Sequence, residues 1–547
     1  MEAMTQPDPL PPAHTLPTCP VPNLDRKPVY APRGVVAAGQ PLAAAAGLAA
    51  LRRGGSAVDA ALATAITLTV TQPTSNGVGG DLFALVWDGA KLHGLNGSGR
   101  APAAVTAAAI RGAGHDRMPD HGWVPVTVPG APRAWRDLHD RFGRLPFGAL
   151  FEDAIGYAED GFPVSPTSAR NWRIAVEEIH PALTGPEHRG FLPMFAPGGR
   201  APRAGERWRS AELAGTFRRL AESGAEDLYT GETARAIAEF AAGTGGFLAA
   251  PDLAGHASTW VEPLSVSYRG YQVWELPPNG QGLAALIALG ILDGVKLPDH
   301  DSAERYHLQI EAMKLAFADA HTYIGDPDRA EVPVAGLLSA GYVRQRRELI
   351  TGEAADPEPG EPGRGGTVYL CAADRDGMMV SLIQSNFAGF GAHVVVPGTG
   401  VSLHNRGAAF TLAEGHPNEV EPGKRPYHTI IPGFLTRDGR AAGPFGVMGG
   451  HMQPQGHLQL ISNTLDAGMD PQAALDAPRW YWDEGRHVYA EPGIPAGTRA
   501  ELADRGHRIS TEGATELVGR GQAIWRLPGG GYVAGTEPRT DGCALGY

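Results

Sequence analysis

The stretch PGRGGTVYLCAADRDGMMVSLIQSNF, residues 362–387, decides the fold of this chain, because a glycine-rich leader runs directly into a β-hairpin. The DRDG sequence at residues 374–377 is a turn signal between two apolar runs. An antiparallel pairing about this turn places Ser385 or Asn386 beside Thr367, and a one-residue change of register exchanges the two. The alternative interpretation is a plain half-buried hairpin with polar ends.

Thr367 can act as a catalytic nucleophile only if the chain is cut in front of it. A threonine hydroxyl is a weak nucleophile that needs a neighbouring base. Breaking the Gly366–Thr367 bond creates an α-amine on the same residue, and its pKa of about 7.7–8.0 leaves a useful fraction neutral near pH 7. That amine can take the proton of the hydroxyl. The preceding glycines let the backbone bend, so that the hydroxyl can reach its own preceding carbonyl. The alternative is a strand that merely begins with threonine.

The part of the chain before the hairpin is mainly helical. Residues 1–33 are rich in proline and predict a flexible tail. Residues 41–73 predict two alanine-rich helices separated by a Gly-Gly break, and residues 81–96 predict two strands joined by an Asp-Gly turn. The apolar spacing of residues 302–325 is typical of an amphipathic helix. Residues 351–366 are nearly all Gly, Pro and acidic, which predicts a disordered linker.

The part after the linker is rich in strands. Apolar runs predict strands near residues 367–373, 378–385, 393–398 and 430–435, and a helix over residues 454–478. Helices before the linker and strands after it indicate a mixed, layered α+β fold.

Composition excludes several classes of function. The chain has 547 residues, 43% of them hydrophobic, and a net charge of −13 without a basic stripe, so no nucleic-acid partner is expected. Cys19, Cys371 and Cys543 are widely separated, which fits neither a disulfide framework nor a zinc site. There is no apolar run of about 18 residues and no signal-like N-terminus, so we expect no membrane span and a cytoplasmic location.

Two glycine-rich motifs flank other predicted strands. In FGVMGGHMQPQGH, Gly449 and Gly450 lie between an apolar strand and a helix, where freed N–H groups can form an oxyanion hole. His451 and His457 are six residues apart, which is not a usual metal spacing, so we expect no metal. The second motif, NGVGGDLF at residues 76–83, lacks the context of a phosphate loop and predicts tight backbone packing instead.

Taken in order, these motifs resemble the γ-glutamyltransferases, members of the N-terminal-nucleophile hydrolase superfamily. The resemblance covers nearly everything after the tail, including LRRGGSAVDAALATAITLTVTQPTSNGVGGDLF, LPPNGQGLAALIALGIL, GGTVYLCAADRDG, GKRPYHTIIP and VMGGHMQPQGHLQLI. It implies a four-layer αββα sandwich built from two subunits cut from one proenzyme. Residues 34–366 would form the large-subunit part, with the tail in front, and residues 367–547 the small catalytic subunit.

The resemblance also implies roles for individual residues. Thr367 would attack an amide carbonyl and form an acyl-enzyme that water or an amine resolves. Ser385 falls on the second hydroxyl of the family, and Gly449 and Gly450 fall on its oxyanion pair. No organic cofactor is implied, because the nucleophile, base and oxyanion donors are all protein groups.

The residues that bind a γ-glutamyl group in this family are replaced by other residue types in this chain. The family's arginine aligns to Ser98, its aspartate to Ala409 and its asparagine near the nucleophile to Phe387. Its serine pair aligns to His428 and Thr429. We therefore expect a rebuilt substrate pocket, as in the family's oxamate-amidohydrolase and cephalosporin-acylase-like branch. The substrate-binding candidates are Arg100, Asn386, Asn405, Arg406, His428 and Thr429.

Three functions remain open on this basis. The first is a self-processing amidohydrolase that acts on a small acidic amide or an acyl amide. The second is a γ-glutamyl hydrolase or transpeptidase that acts on glutathione, and the third is an uncleaved, non-catalytic binding protein. For the first two, the partner is a small amide substrate, and the subunits form a heterodimer that can oligomerise further.

Overall fold

The fold is built on two large antiparallel β-sheets, which we describe from a computed structural model covering residues 26–356 and 366–547. The strands, numbered along the chain, are β1 (Val29–Ala31), β2 (Val35–Ala38), β3 (Asp81–Trp87), β4 (Leu92–Gly97), β5 (Phe162–Pro163), β6 (Arg207–Trp208), β7 (Thr259–Val261), β8 (Leu264–Tyr268), β9 (Tyr271–Glu275), β10 (Gly366–Ala373), β11 (Met379–Phe387), β12 (Val394–Val396), β13 (Val401–Leu403), β14 (Gly433–Arg437), β15 (Arg440–Met448), β16 (Trp480–Trp482), β17 (His487–Ala490), β18 (Arg508–Ser510), β19 (Arg520–Arg526), β20 (Tyr532–Thr536) and β21 (Cys543–Gly546).

The helices flank these sheets. They are α1 (Pro41–Arg52), α2 (Ala57–Thr71), α3 (Ala107–Gly112), α4 (Ala131–Phe142), α5 (Glu152–Asp160), α6 (Pro166–Arg173), α7 (Phe191–Phe195), α8 (Ala211–Ser223), α9 (Asp227–Thr230), α10 (Glu232–Thr244), α11 (Ala250–Ala254), α12 (Gly282–Asp293), α13 (Ala303–Tyr323), α14 (Val334–Leu337), α15 (Ala340–Glu348), α16 (Met452–Leu465), α17 (Pro471–Asp476), α18 (Ala496–Asp504) and α19 (Ala514–Leu517). Within the described ranges, no helix has the length and apolarity needed to cross a membrane.

The two large sheets stack face to face, with helices on their outer sides. One sheet has the order β1-β20-β19-β15-β14-β9-β8, and the other has the order β21-β2-β10-β11-β3-β4-β7. Apolar side chains of both sheets, such as Phe83, Ile383 and Phe434, fill the layer between them. A second apolar cluster joins one sheet to α1, α2 and α4, and a third joins the other sheet to α12, α13 and α16. The predicted four-layer αββα sandwich is thus confirmed.

The helix pair at the start of the fold forms as the sequence predicts. Ser56 caps α2, because its side chain accepts from the Asp59 N–H while the Asp59 carboxylate accepts from the Ser56 N–H. A Cβ added at Gly47 of α1 would overlap the Thr64 hydroxyl of α2. The small residues therefore let the two helices approach closely and cover one face of the β10–β11 sheet.

Three predicted boundaries differ from the structure. The prediction of a flexible tail over residues 1–33 is wrong for its last residues, because Val29–Ala31 pairs with β20. Residues 1–25 lie outside the described residues. The expected linker is wrong over residues 351–356, which pack on α13: the Thr351 carbonyl accepts from His307, and the Ala355 carbonyl accepts from Lys314. Residues 357–365 lie outside the described residues. The helix expected over residues 454–478 is two helices, α16 and α17, separated at Gly468, which has a φ of 67°.

Acid should destabilise this fold well before its ordinary carboxylates titrate. Burial lowers the pKa of five histidines to values between about 2 and about 4: His256, His321, His393, His428 and His507. A histidine whose pKa is lower folded than unfolded contributes stability above its unfolded pKa of about 6.5 and loses it as the pH falls. We expect Tm to fall by about 5–10 °C between pH 7 and pH 5. Differential scanning calorimetry with unchanged Tm over this range would contradict the prediction.

Candidate active site

Thr367 lies near the start of β10, in the middle of its sheet. Gly366 pairs with Phe387 and Val368 pairs with Gln384, so the register shifts at a β-bulge around Thr367. The Thr367 Oγ1 lies 3.0 Å from the Ser385 Oγ, and both side chains are fully buried. The bulge therefore decides between the two predicted neighbours, and it is Ser385 that contacts the threonine hydroxyl.

A tight turn connects Ser385 to a buried arginine. The Phe387 N–H donates to the Ser385 Oγ over 2.8 Å, and Phe387 has a φ of 76°, a left-handed conformation that is unusual for an aromatic residue. The Arg406 guanidinium lies over the Phe387 ring, 4.7 Å from its centroid. A cation thus lies two contacts away from the hydroxyl pair.

Asp81 is the centre of a buried charged cluster beside these residues. It is the first residue of β3 and pairs directly with Ser385 across the sheet. The His428 Nε2 donates to the Asp81 Oδ2 over 2.9 Å, the His404 Nδ1 lies 3.3 Å from the same oxygen, and the Arg406 Nε lies 3.5 Å from it. All four side chains are inaccessible to solvent.

The cluster contains one anion and one strong cation. Burial by itself raises the pKa of the Asp81 carboxyl, but the electrostatic interactions and hydrogen bonds that it makes with His404 and His428 hold that pKa well below its usual value. Burial lowers the pKa of His428 to about 3, so its ring is neutral, and burial lowers the pKa of Arg406 only to about 10, so its guanidinium stays charged. Asp81 is therefore the resident counter-ion of Arg406.

Arg406 also contacts the segment that carries Thr429. Its Nη1 donates to the Thr429 Oγ1 over 2.7 Å, while its Nη2 has no hydrogen-bond partner among the residues that the structure describes. The Gln281 Nε2 donates both to the Thr429 carbonyl over 2.7 Å and to the Gly450 carbonyl over 2.9 Å. Gln281 thereby ties the arginine-binding segment to the predicted oxyanion pair.

Gly449 and Gly450 form the turn between β15 and α16. Their φ angles are 135° and 62°, conformations that favour glycine. The Met452 N–H donates to the Gly449 carbonyl, and the Gln453 N–H donates to the Gly450 carbonyl. The turn therefore leads into the N-terminus of a buried helix, where backbone N–H groups and the helix dipole favour negative charge.

The GVGG motif packs as tightly as predicted. A Cβ added at Gly79 would overlap the Ser402 carbonyl, and one at Gly80 would come within 2.6 Å of the Ser385 carbonyl. The Gly79 carbonyl accepts from the His404 N–H, and the Gly80 carbonyl accepts from two N–H groups at the start of α4. These glycines bring the strand that begins with Asp81 against the Ser385 strand.

Three predicted substrate-binding residues lie outside the contacts of this cluster. Arg100 already pairs with Asp326 at 3.1 Å and with Asp328 at 2.6 Å. The Asn405 amide donates to the Asp120 carbonyl and accepts from a backbone N–H, so it joins two loops. The Asn386 amide faces Gly77 and Gly80 rather than the hydroxyl pair. In contrast, Arg406, His428 and Thr429 come together beside Ser385.

The two histidines of the second glycine motif have structural partners. The His457 Nδ1 lies 2.6 Å from the Glu275 Oε1, and both side chains are fully buried. The His451 ring packs against His321 and Tyr427, and burial holds its pKa well below the usual value. Neither arrangement brings these residues to Thr367.

Sequence reasoning missed Asp81, His404 and Gln281. The signal for Asp81 was present, because an acidic residue begins the otherwise apolar run DLFALVW. Its partners lie more than 300 residues further along the chain, so only the assembled fold identifies them. The sequence around Gln281 does not indicate a role in the site, since this residue stands in a glycine-rich segment before α12.

An αββα sandwich with a buried threonine hydroxyl at the start of a central strand is the architecture of the N-terminal-nucleophile hydrolases. The family model described as gamma-glutamyltranspeptidase matches residues 43–547, and the chain belongs to that family. This membership confirms the predicted family and enzyme class.

Individual relatives cover almost the whole chain. The oxamate amidohydrolase proenzyme of Klebsiella pneumoniae is 36% identical over 94% of this chain and 98% of its own length. The glutathione hydrolase-like YwrD proenzyme of Bacillus subtilis is 35% identical over 92% of this chain and 97% of its own length. The crystal structure of a cephalosporin acylase from Bacillus halodurans has a TM-score of 0.92 and 51% identity, covering 100% of this chain and 99% of that one.

Proposed function

We propose that this chain is a self-processing amidohydrolase whose nucleophile is Thr367. The observation that carries the proposal is the 3.0 Å contact between the Thr367 and Ser385 hydroxyls, buried near the start of a central strand. The names of the relatives support it, because the oxamate amidohydrolase and the YwrD protein are both described as proenzymes.

Self-cleavage requires no group outside this site. The Thr367 Oγ1 attacks the Gly366 carbonyl carbon, the C–N bond breaks, and the hydroxyl proton passes to the nitrogen that leaves. Water then splits the resulting ester into a carboxylate at Gly366 and a free Thr367 with an α-amine. The Ser385 hydroxyl, in hydrogen-bond contact with the attacking oxygen, orients it during this step.

Turnover uses the same atoms. The α-amine takes the proton of the Thr367 hydroxyl, and Oγ1 adds to the amide carbonyl of the substrate. Backbone N–H groups at Gly449 and Gly450 stabilise the oxyanion, and the proton passes to the leaving amine. Water then attacks the acyl-enzyme and releases the acid, or an amine takes the acyl group instead.

The substrate is a small acidic amide of the oxamate type or a related acyl amide. Arg406 supports this choice because it is a buried guanidinium with an unpartnered Nη2 among the described residues, and its Nη1 and the Thr429 hydroxyl supply further polar atoms. Oxamate carries a carboxylate next to its amide carbonyl, so one end binds Arg406 while the other faces Thr367. Of the two predicted arginine candidates, Arg406 and not Arg100 is therefore the principal anchor of the substrate.

A γ-glutamyl hydrolase is the second candidate, and the names of several relatives favour it. An acidic residue is needed to bind the α-ammonium group of a glutamyl substrate. Ala409 stands where the resemblance places that residue, and Asp81 is already engaged by Arg406 and two histidines. This candidate therefore predicts poor activity on glutathione.

Intact mass and a paired substrate assay test the proposal. We expect two polypeptides, one ending at Gly366 and one beginning at Thr367, which remain together as a heterodimer. We also expect ammonia release from oxamate and little release of the aromatic amine from a γ-glutamyl anilide. A single uncut chain that stays inactive for days would refute the proposal, and the opposite substrate preference would favour the second candidate. Further oligomerisation and a cytoplasmic location stay predictions.

Removing the second hydroxyl should slow both reactions. We expect Ser385→Ala to reduce self-cleavage and kcat by about 10–100-fold, because one hydrogen bond to the nucleophile and one acceptor for the Phe387 N–H are lost. Ser385→Thr, which keeps the hydroxyl, is the matched control. Cleavage measured on denaturing gels over time and equal to wild type in both variants would contradict this role.

A further inference from the structure

We propose that Asp81 is the positioning residue that sets the acyl specificity of the pocket, by acting as the fixed counter-ion of Arg406. The inference rests on the proposed function, because it concerns the pocket beside Thr367. Asp81 itself does not touch the reacting atoms; it acts through the arginine and two histidines that surround it.

The contacts of Asp81 divide the guanidinium into an occupied side and an available side. The Arg406 Nε faces the Asp81 carboxylate, and Nη1 donates to the Thr429 hydroxyl. In the described part of the chain, Nη2 has no hydrogen-bond partner. Asp81 therefore holds one edge of the arginine and leaves Nη2 for an acceptor supplied from outside the chain.

The same carboxylate fixes the histidines around the arginine. The His428 Nε2 donates to Asp81, so its Nδ1 accepts from the Ile430 N–H and its ring is neutral. The second carboxylate oxygen, Oδ1, accepts from the Gly99 N–H over 3.1 Å. With both oxygens engaged and solvent excluded, Asp81 has little freedom to move away from Arg406.

The charges of Asp81 and Arg406 cancel within the pocket. An acyl carboxylate that binds at Nη2 is attracted by the arginine and repelled by the aspartate behind it. The pocket therefore binds an anionic acyl group less tightly than a pocket with an unpaired arginine would. The difference in affinity between an anionic and a neutral amide is correspondingly smaller. Asp81 thus controls the ratio between acidic and neutral substrates.

Asp81→Asn tests this directly, because asparagine keeps the shape of the side chain and removes its charge; its oxygen can still accept from His428, at the cost of the acceptor of the Gly99 N–H. We expect the KM for oxamate to fall by about tenfold or more and the KM for oxamide, its neutral analogue, to change by less than about threefold. Both are measured by ammonia release. Equal changes in the two KM values, or a rise in the KM for oxamate alone, would overturn the proposal.

A binding measurement separates this inference from the proposed function. Oxalate, a carboxylate probe that needs no turnover, should raise the Tm of Asp81→Asn more than that of the wild type. If the wild type hydrolyses neither amide, the proposed function fails, but the oxalate comparison still decides the role of Asp81. Equal Tm shifts in the two proteins would overturn it.

Two further variants guard against a folding defect. Asp81→Asn combined with Arg406→Met removes both charges and leaves no buried ion unpaired, so it is expected to fold and to lose its discrimination between oxamate and oxamide. A double variant that retains the wild-type ratio of the KM values for oxamate and oxamide would refute the proposal.

Asp374→Asn is the matched control, because Asp374 is a buried carboxylate in the β10–β11 turn, where it accepts from the Ala57 N–H. It should affect both substrates equally.

Discussion

Replacing Thr367 with alanine is expected to leave the chain uncut and inactive. The substitution removes the only oxygen that the proposed mechanism uses to attack both the Gly366 carbonyl and the substrate. The fold should survive, because alanine fits a buried strand and the hydrogen bond lost with Ser385 contributes about 1 kcal/mol. We expect no detectable cleavage by intact mass and a loss of kcat of at least about 10⁴-fold.

Thr367→Ser is the control for this result. Serine retains the hydroxyl but not the methyl group, so it should cut itself and turn over substrate, although more slowly. A fully processed and fully active Thr367→Ala protein would rule out the nucleophile proposed here. An uncut Thr367→Ala protein together with an uncut Thr367→Ser protein would instead indicate a misfolded site, which circular dichroism and Tm would reveal.

Arg406→Met should have the second-largest effect, on both stability and substrate binding. It leaves the Asp81 carboxylate buried without its strong cation, and breaking such a pair costs about 3–5 kcal/mol of folding free energy. It also removes the charge that attracts an acyl carboxylate. We expect kcat/KM for oxamate to fall about 10²–10³-fold, with a smaller loss for oxamide.

Arg100→Met is the informative comparison. Arg100 is partly exposed and already neutralised by Asp326 and Asp328, so its loss should change the KM for oxamate by less than about threefold. Chemical denaturation and steady-state kinetics on the two variants test this contrast. A larger rise in KM for Arg100→Met than for Arg406→Met would make Arg100, and not Arg406, the anchor of the substrate.

The β-hairpin shows how far local sequence information reaches. The DRDG turn and the alternating apolar residues were enough to pair β10 with β11 and to bring Thr367 near Ser385. They could not exclude Asn386, because a turn motif and an apolar pattern do not show where a β-bulge shifts the register. The division of the expected long helix at Gly468 was likewise missed, since the apolar pattern continues through the break.

The charged cluster shows where local information ends. Asp81, His404, Arg406 and His428 come from three separate segments, and the sequence around each of them does not identify the residues of the other segments as its contacts. Family resemblance placed Arg406, His428 and Thr429 in the substrate pocket, but it gave no partner for the arginine. Asp81 became its counter-ion only when the pairing of β3 with β11 brought the two segments together.

The order of strands in the sheet that contains Thr367 determines the fate of the two products of a cut. β11, β21 and all of β10 except Gly366 come from after the cut, and they pair with strands from before it at three edges: β21 with β2, β2 with β10, and β11 with β3. Two products interleaved in this way share backbone hydrogen bonds along several strand edges, so they should neither separate on dilution nor exchange with other molecules. Maturation of this protein would then be a one-way step: a cut pair that unfolds completely would have to reassemble from two independent chains.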